Sequence, residues 1–154
     1  MFYRVSLTPY SVGDIIQPGQ FGHRHRAHRP GAAYPVEPAF TELLIEIALE
    51  SARKAVKPHV PSRLDCVFAC ESVADADFFR TEYRSGQGSI YEIEVASPDV
   101  PVFRGNFTAI STNAGGRPYV DYLSDWARDY WATVPTELVE VLIGGPVRIV
   151  ALAG

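Results

Sequence analysis

Three groups of side chains in this sequence have the types and spacing to do chemistry. The first is Glu140, set in the apolar run Leu138, Val139, Glu140, Val141, Leu142, Ile143. Period-2 alternation places Leu138, Glu140 and Leu142 on one face of a strand and Val139, Val141 and Ile143 on the other. A carboxylate on an apolar face is expensive unless that face opens onto a cleft, a partner or water. Two readings follow: an edge strand with a solvated Glu140, or an acid held in a cleft, where it can stabilise positive charge or orient a nucleophile. The second group is His23, Arg24, His25, Arg26, His28 and Arg29, which crowd into seven residues of an otherwise acidic chain. No carboxylate or thiol stands alongside them to complete a metal site. The cluster reads either as a solvated basic loop or as an anion-binding one, with phosphate the natural guest. The third is Arg4, in the middle of Phe-Tyr-Arg-Val-Ser; an arginine on a strand is most simply a surface charge.

These residues need elements to position them. Residues 2–7 alternate aromatic or β-branched with polar positions and read as a strand, with Tyr3, Val5 and Leu7 toward the core. Residues 13–38 hold four glycines and four prolines, which predicts a long surface loop carrying the basic cluster. Phe40, Leu43, Leu44, Ile47, Ala48, Ala52, Ala55 and Val56 recur at helical spacing between Pro38 and Pro58, so residues 39–57 are predicted as a helix. Glu42, Glu46, Glu50, Arg53 and Lys54 are its expected wet face. Residues 64–70 form a short apolar run, a strand; Ser72 followed by Asp75 then starts a helix along Val73, Ala76, Phe79 and Tyr83. Residues 89–95 and 100–107 read as further strands. The stripe Tyr119, Tyr122, Leu123, Trp126, Ala127, Tyr130, Trp131 predicts a helix with an aromatic core face. Residues 138–143 and 147–152 are predicted as a hairpin about Gly144, Gly145 and Pro146.

Composition bounds the answer. The 154 residues, 47% hydrophobic and 21% charged, suit one globular domain with a core of its own. A net charge of −4 argues against nucleic-acid binding by bulk charge. Cys66 and Cys70 lie in an apolar stretch with no zinc spacing and read as buried reduced thiols, as in a cytoplasmic protein. Neither a signal peptide nor a membrane span is expected.

The run Glu140 to Ile143, a Gly/Pro turn and a β-branched strand resembles the end of ADP-ribosyltransferase domains, where a catalytic glutamate precedes such a strand pair. The family's usual Glu-x-Glu or Gln-x-Glu is matched only in its second member, Glu140, because Leu138 stands two positions before it and Glu137 three. Residues 2–6, followed by Val12-Gly13-Asp14-Ile15-Ile16 and Pro18-Gly19, are similar to the opening of the small bacterial members. There Arg4 corresponds to the arginine of the arginine-serine-glutamate class, which holds the nicotinamide-side ribose and phosphate of NAD. The family's Ser-Thr-Ser is absent. Its stand-ins are Ser62 and the segment Val67-Phe68-Ala69, where other members place a tyrosine; Ser62 and Arg63 equally suit a loop turn and a surface charge.

The resemblance implies an α+β fold of two small packed sheets flanked by helices across residues 1–154, with NAD in the cleft between the sheets. It implies Glu140, Arg4 and Ser62 as catalytic residues, and Arg4, Arg24, Arg26, Arg29, Ser62, Arg63 and Phe68 as NAD-binding ones, with no metal. The implied activity is transfer of ADP-ribose from NAD to an acceptor of unspecified class, in the manner of bacterial toxins or other modifying enzymes. Tyr130 or Trp131, just before the loop that leads to Glu137 and Glu140, would border the acceptor. An NAD glycohydrolase on the same fold and a non-catalytic nucleotide- or partner-binding module are the alternatives.

Overall fold

The computed structural model describes residues 1–26, 37–107, 117–136 and 138–154. In chain order these form β1 (Phe2–Ser6), β2 (Ile15–Ile16), α1 (Gln20–Arg26), α2 (Glu37–Val56), a 3-10 turn (Arg63–Asp65), β3 (Val67–Cys70), α3 (Val73–Arg84), β4 (Ser89–Val95) and β5 (Val102–Asn106). A second 3-10 turn (Tyr119–Asp121), α4 (Leu123–Ala132), β6 (Val139–Ile143) and β7 (Val147–Leu152) complete them. The class is α+β, as expected.

The seven described strands join one antiparallel sheet in the order β2-β7-β4-β1-β3-β6-β5. This corrects two expectations. The sheet is continuous in its hydrogen bonding where two sheets were predicted. In addition, β6 and β7 form no hairpin: β6 lies between β3 and β5, and β7 lies between β4 and β2. Gly144 and Gly145 serve close packing here. A Cβ on Gly144 would come 2.9 Å from the Pro101 ring, and one on Gly145 would come 2.7 Å from Val100.

That connection dictates the sheet's shape. In a flat sheet β6 and β7 would be four strand spacings apart, about 19 Å. The chain from Ile143 to Val147 can span only about 14 Å. The sheet must therefore curl. Its weakest joint is between β1 and β3, which share the single pair Tyr3↔Cys70, whereas β1 and β4 pair from Phe2↔Ile93 to Ser6↔Ser89. Two halves result, β2-β7-β4-β1 and β3-β6-β5, hinged at that seam.

Apolar burial locks the arrangement. One core draws Val67, Ala69, Val141 and Ile143 from one half and Tyr91, Ile93, Val147 and Ile149 from the other. A second lies under the helices, where Ile45 and Leu49 of α2 and Leu123, Ala127, Tyr130 and Trp131 of α4 cover Phe103 and Leu142. Trp131 also donates its indole N–H to the Leu49 carbonyl at 2.7 Å, satisfying a polar group in a fully buried ring. The alternation read in β6 holds: Leu142 faces the helices, and Val141 and Ile143 face the inter-half core.

Elements with local signals match closely. Ser72 accepts from the Asp75 amide at 3.0 Å and caps α3, and β4 occupies the expected residues 89–95. Others differ. The predicted loop contains β2 and α1, because α1 is held by docking more than by propensity: the Gly19 amide donates to the Cys66 carbonyl at 3.1 Å. At Gly22 a Cβ would come 2.7 Å from the Leu64 carbonyl carbon, so only glycine lets the helix lie against the first 3-10 turn. In α2 the apolar stripe is displaced, with Phe40 and Ile47 exposed and Glu46 buried at 3%. Leu7 is also exposed instead of core-facing. The last helix begins at Leu123, after the second 3-10 turn.

Candidate functional site

Where β1 and β3 part beyond their one shared pair, a cavity of about 360 Å³ opens. Arg4 lines it from the β1 side, Phe68 and Glu140 from the β3-β6 side, Arg24 from α1, Arg63 from the 3-10 turn and Arg84 from the end of α3. Aromatic rings form part of its walls, with Phe21 and Phe68 edge-to-face at 5.1 Å between centroids and Phe79 against Phe107 at 5.4 Å.

Arg4 braces the seam. Its Nη1 donates to the Phe68 carbonyl at 3.0 Å. Its Nε is the one buried side-chain polar atom among the described residues with no hydrogen-bond partner. Burial lowers the pKa of this guanidinium from its ordinary value, and the like charge of Arg84 acts in the same direction; an arginine nonetheless keeps its proton. The result is a half-buried cation in the wall of a cavity, with no carboxylate partner among the described residues. Such an arrangement favours an anionic guest.

Glu140 sits at the opposite side, 6% exposed. The edge-strand reading therefore fails, since β6 is an interior strand. Its Oε1 accepts from Tyr130 Oη at 2.5 Å and from Arg63 Nη1, while Oε2 has no hydrogen-bond donor among the described residues. The free oxygen is the one left for a ligand. Tyr130 reaches it because Gly105 is the residue across from Glu140 in β5: a Cβ there would lie 2.6 Å from the Tyr130 ring carbon bearing the hydroxyl.

Arg63 is shared between two acids. Its Nε lies 3.0 and 3.1 Å from the Glu46 oxygens and its Nη2 3.1 Å from one of them, while Nη1 faces Glu140 and, at 3.3 Å, Tyr130 Oη. Phe68 flanks the guanidinium with its ring centroid at 4.9 Å. Burial opposes the charge on Arg63, but Glu140 and Glu46 together outweigh it and hold its pKa well above the ordinary value. For Glu140 burial wins. The carboxyl pKa is raised, with Arg63 and Tyr130 pulling it back and Glu46 adding to the rise.

The structure brings Arg4, Arg24, Arg63, Phe68 and Glu140 together, and leaves other expected residues elsewhere. Ser62 caps the 3-10 turn by accepting from the Leu64 amide and donates to Glu50 at 2.8 Å; it does not line the cavity. Arg26 pairs with Asp65 at 2.5 Å on the surface, and Arg24, although in the wall, pairs with Glu42. His23 to Arg26 lie in α1, with His25 buried, so this part of the basic cluster is helix and not loop. His28, Arg29 and Glu137 lie outside the described residues. Tyr130 and Trp131 are fully buried: Tyr130 holds Glu140 from behind, and neither ring borders an open acceptor site.

Sequence reasoning missed Gln20, Phe21, Phe79, Arg84 and Phe107 in the wall, and Glu46 behind Arg63. Of these, Arg84 alone carried a signal, a cation in the last turn of a capped helix. Burial pushes the Cys70 thiol up to about 12 and the Cys66 thiol further, so neither is a nucleophile at neutral pH. Among the described residues no cluster of His, Cys, Asp and Glu has metal-binding geometry, and no helix is long and apolar enough to cross a membrane.

Residues 20–153 match the model of a family described as proteins of unknown function, DUF2441. The chain belongs to the DUF2441 family. The matched span carries Arg24, Arg63, Arg84 and Glu140, while β1 with Arg4 precedes it. No curated protein matches the chain.

Proposed function

We propose that this DUF2441 member binds NAD in the seam cavity and transfers its ADP-ribose to an acceptor, releasing nicotinamide. The observation that carries the reading is the pairing, across one cavity, of the buried Glu140 carboxylate with the half-buried Arg4, where among the described residues Glu140 Oε2 has no donor and Arg4 no carboxylate partner. In the transfer, the bond between ribose C1′ and the nicotinamide nitrogen breaks, and nicotinamide leaves with the bonding electrons as a neutral base. The ribose is left with oxocarbenium-like charge, which the Glu140 carboxylate is placed to stabilise. The acceptor atom then bonds to C1′ and gives up its proton, for which Glu140 Oε2 is the base within the cavity. Arg4, supported by Arg84 and Arg24, suits the phosphates. The volume accommodates a heterocycle and its sugar between aromatic walls.

Incubation with NAD should release nicotinamide. Release that quickens with an added acceptor marks a transferase, and release indifferent to every acceptor marks a glycohydrolase. Absence of both release and NAD binding would remove the proposal. A narrower expectation concerns Arg4. Lysine keeps the charge but not the planar fork, and it cannot both brace Phe68 and meet a phosphate. Arg4→Lys should weaken NAD binding in calorimetry on the order of tenfold or more, at the scale of one charge-assisted hydrogen bond. Unchanged affinity would take Arg4 out of the site.

A further inference from the structure

Glu46 lies on α2, outside the cavity wall, and a helical wheel puts it among solvated acids. It is 3% exposed and grips Arg63 by Nε and Nη2, leaving only Nη1 for Glu140. One guanidinium thus serves two buried carboxylates on different elements. We propose that Glu46 is a positioning residue for Glu140, acting through the guanidinium that the two carboxylates share. This rests on the NAD reading for its functional meaning, though not for its test.

The geometry supplies two effects. First, the Glu46 fork fixes the plane of Arg63, so that Nη1 and Tyr130 Oη meet the same oxygen of Glu140 and leave Oε2 free. Second, Glu46 takes up part of the Arg63 charge, so Glu140 is only partly compensated and stays a better base than a carboxylate with an arginine to itself. Among the described residues the titratable groups around Glu140 are Arg63 from the 3-10 turn, Tyr130 from α4, Glu46 from α2 and the Cys66 and Cys70 thiols, with Arg4, Arg24 and Arg84 lining the same cavity. Cys70 is directly across from Glu140 in β3. Both thiols stay protonated in the working range, which leaves Glu46 as the further negative charge among these described groups.

The test reads Glu140 itself. In the full-length chain, the 13C carboxyl resonance of Glu140, identified by its loss in Glu140→Gln, is titrated by NMR. Glu46→Gln should lower its midpoint by roughly one pH unit, because a negative charge is gone and Arg63 turns wholly to Glu140. Tyr130→Phe should raise it, because a donor to the carboxylate is lost. Should Glu46→Gln fail to fold, Glu46→Asp draws the fork back by one methylene and should move the midpoint the same way by less. A purely structural Glu46 would lower the melting temperature and leave the midpoint in place, and that result overturns the proposal. The acid limb of nicotinamide release should follow the midpoint. A moving midpoint in a protein that releases no nicotinamide sinks the NAD reading alone, whereas nicotinamide release with a fixed midpoint sinks the positioning role alone.

Discussion

Glu140→Gln should leave NAD bound and cut nicotinamide release by a factor on the order of a hundred or more, the scale seen when one preorganised electrostatic stabiliser is removed. Glutamine fits the space and still accepts from Tyr130 and Arg63, so the fold and cavity keep their shape. What disappears is the negative charge that oxocarbenium character calls for, and the loss should fall on kcat with KM little changed. The wild-type protein adds a second signature. Burial raises the Glu140 pKa, so activity should fall toward acid pH from a point above the usual carboxylate range. Full activity in Glu140→Gln would show that β6 does not carry the chemistry.

Arg63→Met should be the most destabilising single change in the site, about 3–5 kcal/mol at neutral pH. Methionine fills much of the volume and still packs on Phe68. However, Glu46 and Glu140 then lie buried without the cation they share, and the folded state relieves the repulsion by taking up a proton. The Glu140 pKa, already raised by burial and held back by Arg63, should rise further in the variant. Stability is then present at pH below the unfolded pKa and is lost as pH rises through the folded value. Urea melts should therefore find variant and wild type closest in mildly acidic buffer and furthest apart at neutral pH. An equal gap at both would make the loss one of packing and not of charge.

Whether a feature was legible in the sequence followed how local its cause is. The Ser72 cap is a contact three residues long, and β4 is a run of alternating residues; both were found. The strangeness of Glu140 was also visible, because an acid in an apolar strand stands out whatever its partner. What joins the site is not local. Arg63 meets Glu46 from 17 residues away and Glu140 from 77, so no period along α2 could have separated Glu46 from its solvated neighbours. The Gly144-Gly145-Pro146 segment has the composition of a hairpin turn, and only the pairing of β6 with β3 and β5, and of β7 with β4 and β2, shows that it crosses the molecule. Helix α1 hid among glycines that its docking requires.

That interleaving governs how the molecule can be assembled in time. The chain passes between the two halves of the sheet from β2 to β3, from β3 to β4, from β4 to β5 and from β6 to β7. Neither half is therefore a continuous piece of chain, and neither can collapse first as a template for the other. β1 must wait for β4, with Tyr3 meeting Glu92, and the loop that this closes costs entropy before any packing repays it. A topology dominated by such distant pairings folds slowly and as one unit. Arg4 lies in β1 and Glu140 in β6, so the cavity between them takes shape only once the pairings of both halves are made.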